Sequence, residues 1–162
     1  YISKNKKKIY ILLKSKHPLK QKEEIGFYKK FFRSQCIFLK SLKWEQSYET
    51  IDKFENVIFM YSTLGYEAIA RKKKVAIFSP DKINGFNYNF GWPATHKINY
   101  NFFSAKKITY DEIKRVLSNI SNCSQDNWQN KYYGQIKDQM YLNKKNTILK
   151  KIIFGLLQHK VN

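Results

Sequence analysis

Val57-Ile58-Phe59-Met60, followed at once by Tyr61-Ser62-Thr63-Leu64-Gly65-Tyr66-Glu67, is the stretch from which the fold can be read. Four apolar residues in a row read as a buried strand. The Ser-Thr pair behind them is a helix-start signal, so strand passes into helix with no linker. That is one half of a parallel βα unit. The helix is expected to run through about Lys72, with Val75-Ala76-Ile77-Phe78 as the next strand.

The same alternation continues outward in both directions. Upstream, Ile9 to Leu13 is a continuous rather than alternating apolar run, expected to be buried on both faces. After His17-Pro18 a helix is expected from about Gln21 to Arg33, with Ile25, Tyr28 and Phe32 on one side. Cys36-Ile37-Phe38-Leu39 makes a second strand, and Ser47 is the expected cap of a short helix carrying Tyr48, Ile51 and Phe54. Downstream, Ser79 to Phe103 is aromatic and asparagine-rich without a period, which fits a functional loop or a short strand pair. Thr109 with Glu112 forms a capping box for a helix whose Ile113, Val116, Leu117 and Ile120 make a core-facing stripe. Ser124 caps another, with Trp128, Tyr132, Ile136 and Met140 in line, and a last helix, Thr147 to Gln158, presents Ile148, Ile152 and Leu156. The expected fold class is α/β: a Rossmann-like parallel sheet with flanking helices, closed by the C-terminal helices, in one domain over residues 1–162.

Length and composition agree with that. A chain of 162 residues can form one domain with a proper core, and 43% hydrophobic, 27% charged and 17% aromatic residues supply it. No apolar run approaches the roughly 20 residues of a bilayer span; Ile152 to Leu157 is broken by Gly155 and flanked by Lys151 and His159. The stretch from Tyr1 onward lacks the basic-then-apolar pattern of a secretory leader. Cys36 and Cys123 fit reduced thiols of a cytoplasmic protein and carry no metal-ligand spacing.

The net charge of +19 invites a nucleic-acid partner, but only three of the 31 basic residues are arginines (Arg33, Arg71 and Arg115). Arginine is the side chain suited to bidentate phosphate and guanine contacts, so no dedicated nucleic-acid role is expected. Abundant lysine, asparagine, isoleucine, tyrosine and phenylalanine are what AT-rich coding DNA produces. The anionic partners that remain are a nucleotide, a lipid headgroup or an anionic membrane surface, which allows peripheral association with the inner face of the cytoplasmic membrane.

In open parallel sheets ligands bind beyond the carboxyl ends of the strands, and two such ends are chemically distinctive. Lys14-Ser15-Lys16-His17-Pro18 follows the first strand and sets a histidine and two lysines where an anion could be held. Taken by itself it also fits a solvated basic turn. Ser62-Thr63-Leu64-Gly65-Tyr66-Glu67 follows the third strand, where the free amides and dipole of a helix start favour a phosphate by about 0.3–1 kcal/mol, or up to ~2 when partly buried. Ser62 and Thr63 add hydroxyls, Leu64 and Gly65 add amides with close backbone approach, and Glu67 could accept hydrogen bonds from a ribose diol. The plain alternative makes Ser62 an N-cap only and pairs Glu67 with Arg71 at i, i+4.

Ser62 to Ala68, with the following Arg71 to Ser79, resembles the signature of a family of surface carbohydrate biosynthesis transferases. Phe90-Gly91-Trp92-Pro93 is similar to that family's next block and Tyr141 to Thr147 to its C-terminal block, so the likeness runs from about Ile9 to Phe154. The family commonly carries glycine before the fourth strand, where Lys73 stands here. The resemblance implies the C-terminal half of a GT-B-type fold, a donor-nucleotide-binding domain that faces an N-terminal acceptor domain across a cleft. The same layout resembles bacterial sialyltransferases and the polyol-phosphate polymerases of teichoic acid synthesis, in which a His-Pro turn and a Ser-rich turn contact donor phosphates. By that resemblance His17 contacts a donor phosphate or protonates the leaving group, Lys14 helps to hold that charge, Ser62 and Thr63 contact phosphate, and Glu67 contacts the ribose.

The activity so implied is transfer of a sugar from a nucleotide-sugar donor to a glycan or lipid-linked glycan acceptor in surface polysaccharide or lipopolysaccharide biosynthesis. The alternatives are a CDP-polyol phosphotransferase of the teichoic-acid type and a basic, non-enzymatic RNA- or membrane-binding module. Related folds begin one strand earlier, at the sheet's centre, so the natural protein is expected to extend upstream and this piece to be inactive alone. No cofactor or metal is expected: there is no Asp-x-Asp motif, and Asp81 is a lone acid that shapes its turn. Trp92 could stack on the donor or simply pack its loop; His96 fits a surface residue, Trp44 and Trp128 fit core positions, and Lys72 to Lys74 fit a solvated helix end.

Overall fold

The structure is a computed structural model and describes residues 8–32, 36–40, 43–79, 82–83, 86–87, 100–134 and 147–158. It is α/β, with small parallel sheets and flanking helices. β1 (Ile9–Leu12) is followed by α1 (Pro18–Phe32) and β2 (Cys36–Leu39), and the two strands pair in parallel with Ile9 opposite Cys36 and Leu12 opposite Leu39. Then come α2 (Trp44–Asp52), β3 (Asn56–Phe59), α3 (Thr63–Ala70) and β4 (Lys74–Phe78). The stretch after Phe78 contains the short antiparallel pair β5 (Lys82–Ile83) and β6 (Phe86–Asn87), and later a 3-10 turn at Tyr100–Phe102. β7 (Ser104–Ala105) adds to β4 in parallel, giving the sheet order β3-β4-β7. α4 (Tyr110–Asn122), the one-turn α5 (Gln125–Asn127) with a π-helical turn (Trp128–Tyr133), and α6 (Thr147–Gln158) complete the described chain.

One continuous sheet was expected; among the described residues β1-β2 and β3-β4-β7 form two sheets. The expectation of double-faced burial also fails for the Ile9 to Leu13 run. β4 packs against both α3 and α4 and all five of its residues are buried. Among the described helices, α3 is the one packed on β3, so Phe59 is buried and Ile58 is 51% exposed. β1 leaves Tyr10 42% exposed, its ring resting 4.8 Å from that of Phe54, just before β3. A run of apolar residues records what a strand tolerates, and the second covering helix decides whether both faces are used.

The core lies between β3-β4-β7 and helices α3 and α4. Phe59, Ile69, Val75, Ile77, Phe103, Val116 and Ile120 meet there with Trp128 and Tyr132. Trp128, fully buried, stands edge-on to Phe103 at 5.6 Å. Burial of side chains this size stabilises by about 1.5–3 kcal/mol each before entropy is counted. α4 follows its sequence pattern: Thr109 Oγ1 accepts from the Glu112 amide at 3.4 Å, and Val116, Leu117 and Ile120 are buried. Its box is half made, because the Glu112 carboxylate turns to Arg115 instead. Arg115 then donates to the carbonyls of Asn101 and Ser104, pinning the approach to β7.

Several local expectations shift. α1 begins at Pro18, where the ring's fixed φ suits the first helical position. Ser47 lies inside α2 and is buried; the α2 start is closed by Gln46 Oε1, which accepts from the Lys43 amide at 3.1 Å. The lysines at 72–74 are not one solvated end. Lys74 is buried, its ammonium held 2.6 Å from both Glu55 Oε1 and the Cys123 carbonyl that ends α4, because a buried cation must be paired. Lys72 takes a left-handed φ of 63°. α6 does not close the core as expected: Ile152 and Leu156 are exposed. Asp81, Phe90 to Pro93, His96, Ile136, Met140 and Tyr141 to Asn146 lie outside the described residues, as does the side chain of Trp44.

Candidate functional site

Parallel pairing puts the loops after β1 and β2 on one carboxyl edge and the loops after β3 and β4 on another. At the β3–α3 junction, Ser62 is the N-cap with extended dihedrals (φ −115°, ψ 124°), and its hydroxyl makes no cap hydrogen bond. Its carbonyl accepts from the Gly65 amide at 3.0 Å, which closes the first turn. Thr63 is exposed, Ser62 and Leu64 half-buried, and no described residue accepts from the amides of Thr63 or Leu64. Two hydroxyls and two amides are thus presented at the positive end of a helix whose interior face is fixed by buried Ala68, Ile69 and Ala70.

Gly65 has a packing reason of its own. A Cβ there would stand 2.1 Å from Phe59 Cγ, so the missing side chain lets α3 lie on the β3 ring. Glu67, one turn further, accepts a hydrogen bond from the Tyr48 hydroxyl, which is the leading cause of that phenol's raised pKa; burial and the carboxylate's charge add to it. The i, i+4 alternative is not what Arg71 does: it pairs with Asp52 at 2.6 Å and lies 4.9 Å over the Tyr48 ring.

The loop after β1 is built differently. Glu24 of α1 accepts from the Lys14 amide at 3.0 Å and from the Ser15 amide at 3.3 Å. An internal carboxylate thereby holds the backbone position a phosphate would take. His17 is exposed; its amide donates to Ser15 Oγ at 3.1 Å and its carbonyl accepts from the Gln21 amide at 3.0 Å. Lys14 is exposed and lines a broad open depression with Lys20, Glu23, Glu24, Phe27 and Tyr28, which none of residues 62–67 reaches.

α2 ties the two regions together. Lys16 Nζ donates to Ser47 Oγ at 2.8 Å, and the next residue, Tyr48, is bonded to Glu67. The loop carrying Lys14 and His17 is therefore linked to the helix that starts at residues 62–65 by way of α2. Trp92 lies outside the described residues. Sequence reading missed Glu24, Ser47 and Tyr48 as parts of this arrangement, since each acts by a contact distant in the chain and none sits in a motif. Among the described residues no group of three or more His, Cys, Asp or Glu forms a metal-ligand set, and no helix is long and apolar enough to cross a membrane.

A family profile described as “putative O-antigen biosynthesis protein” matches residues 1–156. No curated protein and no solved structure matches the chain.

Proposed function

The chain belongs to this O-antigen biosynthesis family, and from that premise we propose that it is the donor-binding half of a GT-B-type glycosyltransferase. The reaction is transfer of a sugar from a nucleotide-sugar donor to a glycan or lipid-linked glycan acceptor. The observation that carries the proposal is the α3 start, with the Ser62 hydroxyl free of any cap bond and the Thr63 and Leu64 amides unclaimed by described residues. A nucleotide leaving group develops negative charge on its terminal phosphate, and fixed amides, hydroxyls and a helix dipole stabilise that charge without reorganising. Lys14 and His17, in the loop after β1, keep the parts of cation and proton donor from their sequence alone, since none of residues 62–67 lines the depression that holds Lys14. Glu67 offers its carboxylate to the ribose by releasing Tyr48. Trp92 is assigned to the donor loop by resemblance alone.

Among the described residues β1, β2, β3 and β7 each keep one edge without a strand partner, which leaves room for a further strand. In a transferase assay of the whole protein, Ser62→Ala and His17→Ala should each lower donor kcat/KM by about a hundred- to a thousandfold, within the range for lost charge-stabilising or proton-donating groups. Thermal stability should stay near that of the native protein. Unchanged donor KM and turnover in both variants would remove the site assignment.

A further inference from the structure

α6 leaves a run of its described apolar side chains exposed. Leu149, Ile152, Ile153 and Leu156 are 46–64% exposed, and at helical spacing they share one arc of roughly 100°. Lys150 and Lys151 project from the opposite side, both exposed, with the exposed Phe154 between them. A helix of 12 residues is about 18 Å long, well short of a bilayer core of roughly 30 Å. The stripe is therefore too short to span and too apolar to be left in water.

Three occupants from outside the protein's own chain could cover it, and charge separates them. A second copy would carry the same +19 and be repelled. RNA would be drawn to the lysines but would leave the apolar stripe in water. An anionic leaflet satisfies both features, because the acyl boundary takes the stripe while the headgroups attract the lysines. We propose that α6 is an in-plane anchor that seats Leu149, Ile152, Ile153 and Leu156 in the interface of an anionic bilayer, with Lys150 and Lys151 reaching back to the headgroups. The proposal is independent of donor binding, and its test contains no nucleotide.

The chain is sedimented with vesicles of phosphatidylcholine alone and of phosphatidylcholine mixed with phosphatidylglycerol. Partition onto the anionic vesicles is expected, with weak partition onto the neutral ones. Ile152→Glu combined with Leu156→Glu should lower that partition by at least about tenfold. Lys150→Ser and Lys151→Ser should each lower it by about fivefold. These side chains are exposed, so circular dichroism should be unchanged. Leu156→Trp should add emission that acyl-brominated lipid quenches, beyond any quenching of the native chain with its Trp44, Trp92 and Trp128. Equal partition of the double glutamate variant and the native chain, or no quenching of the Leu156→Trp variant beyond that of the native chain, overturns the proposal. So does a dimer abolished by the glutamates, or retention on RNA, in a chain that no vesicle binds.

Discussion

Lys72 shows how a single residue can sit against its own preference. Its φ of 63° puts a side chain where glycine is at ease. The surrounding bonds demand that angle: the Lys72 amide donates to the Ile69 carbonyl at 2.8 Å and the Lys73 amide to that of Ala68 at 3.0 Å, the two bonds of a Schellman stop. Lys72→Gly should therefore stabilise the chain by about 1 kcal/mol, read as a higher urea midpoint at unchanged slope. Gly65 is the converse. Gly65→Ala drives a methyl into the Phe59 ring and should cost about 1–3 kcal/mol, because Phe59 is itself buried and has nowhere to turn. The pair marks what is legible at this scale. Gly65 stood out in its strand–helix turn, while the left-handed residue falls one position before the Lys73 that resemblance singled out, since helix length and not residue type sets where the stop comes. The phenols carry the pH dependence. The Tyr48 pKa is raised first by the hydrogen bond to Glu67 and then by burial. Burial is the leading cause for Tyr28 and the sole cause for Tyr66, and both are raised as well. A phenol whose folded pKa lies above its unfolded value of about 10 contributes stability that is complete below that value and is lost as pH rises through the raised one. Denaturation midpoints should therefore fall as pH climbs above about 10. Tyr48→Phe should remove part of that fall and leave the share due to the two other tyrosines.

Among the described elements, β4 is the strand enclosed on every side: strands flank it, α3 and α4 cover its faces, and Lys74 anchors its start to the end of α4. Its amides should exchange with deuterium more slowly than those of β1, which has one strand neighbour among the described residues and an exposed Tyr10. Equal rates in the two strands would contradict the two-sheet arrangement. Strands β1 to β4 and helices α3 and α4 could be recognised from sequence because each announces itself within a few residues: an apolar run, a Ser or Thr cap, a 3.6-residue stripe. β7 could not. Ser104-Ala105 has no strand character of its own and is held by pairing with Ile77 and Phe78 and by Arg115 on the Ser104 carbonyl. Arg115→Ala should loosen that strand first, speeding exchange at residues 101–105 more than in the rest of α4. Ser47 was misplaced as a cap for a related reason, since its place inside α2 is tied to Lys16, 31 residues away in the chain.

For the whole molecule, with its charge of +19 and its membership of an O-antigen biosynthesis family, both proposals rest on local features: a helix start whose first amides no described residue accepts from, and a C-terminal helix with an exposed apolar stripe. The chemistry proposed for the first depends on whether α3 accepts a phosphate. Titration of uridine diphosphate and cytidine diphosphate into the isotopically labelled chain, followed by amide NMR, addresses it directly. Saturable shifts concentrated at Ser62, Thr63, Leu64 and Gly65, lost in a Ser62→Asp variant and retained at physiological salt, are the predicted result. Shifts that avoid those four amides, or that spread over the surface lysines and vanish as salt is added, would contradict donor binding at this turn.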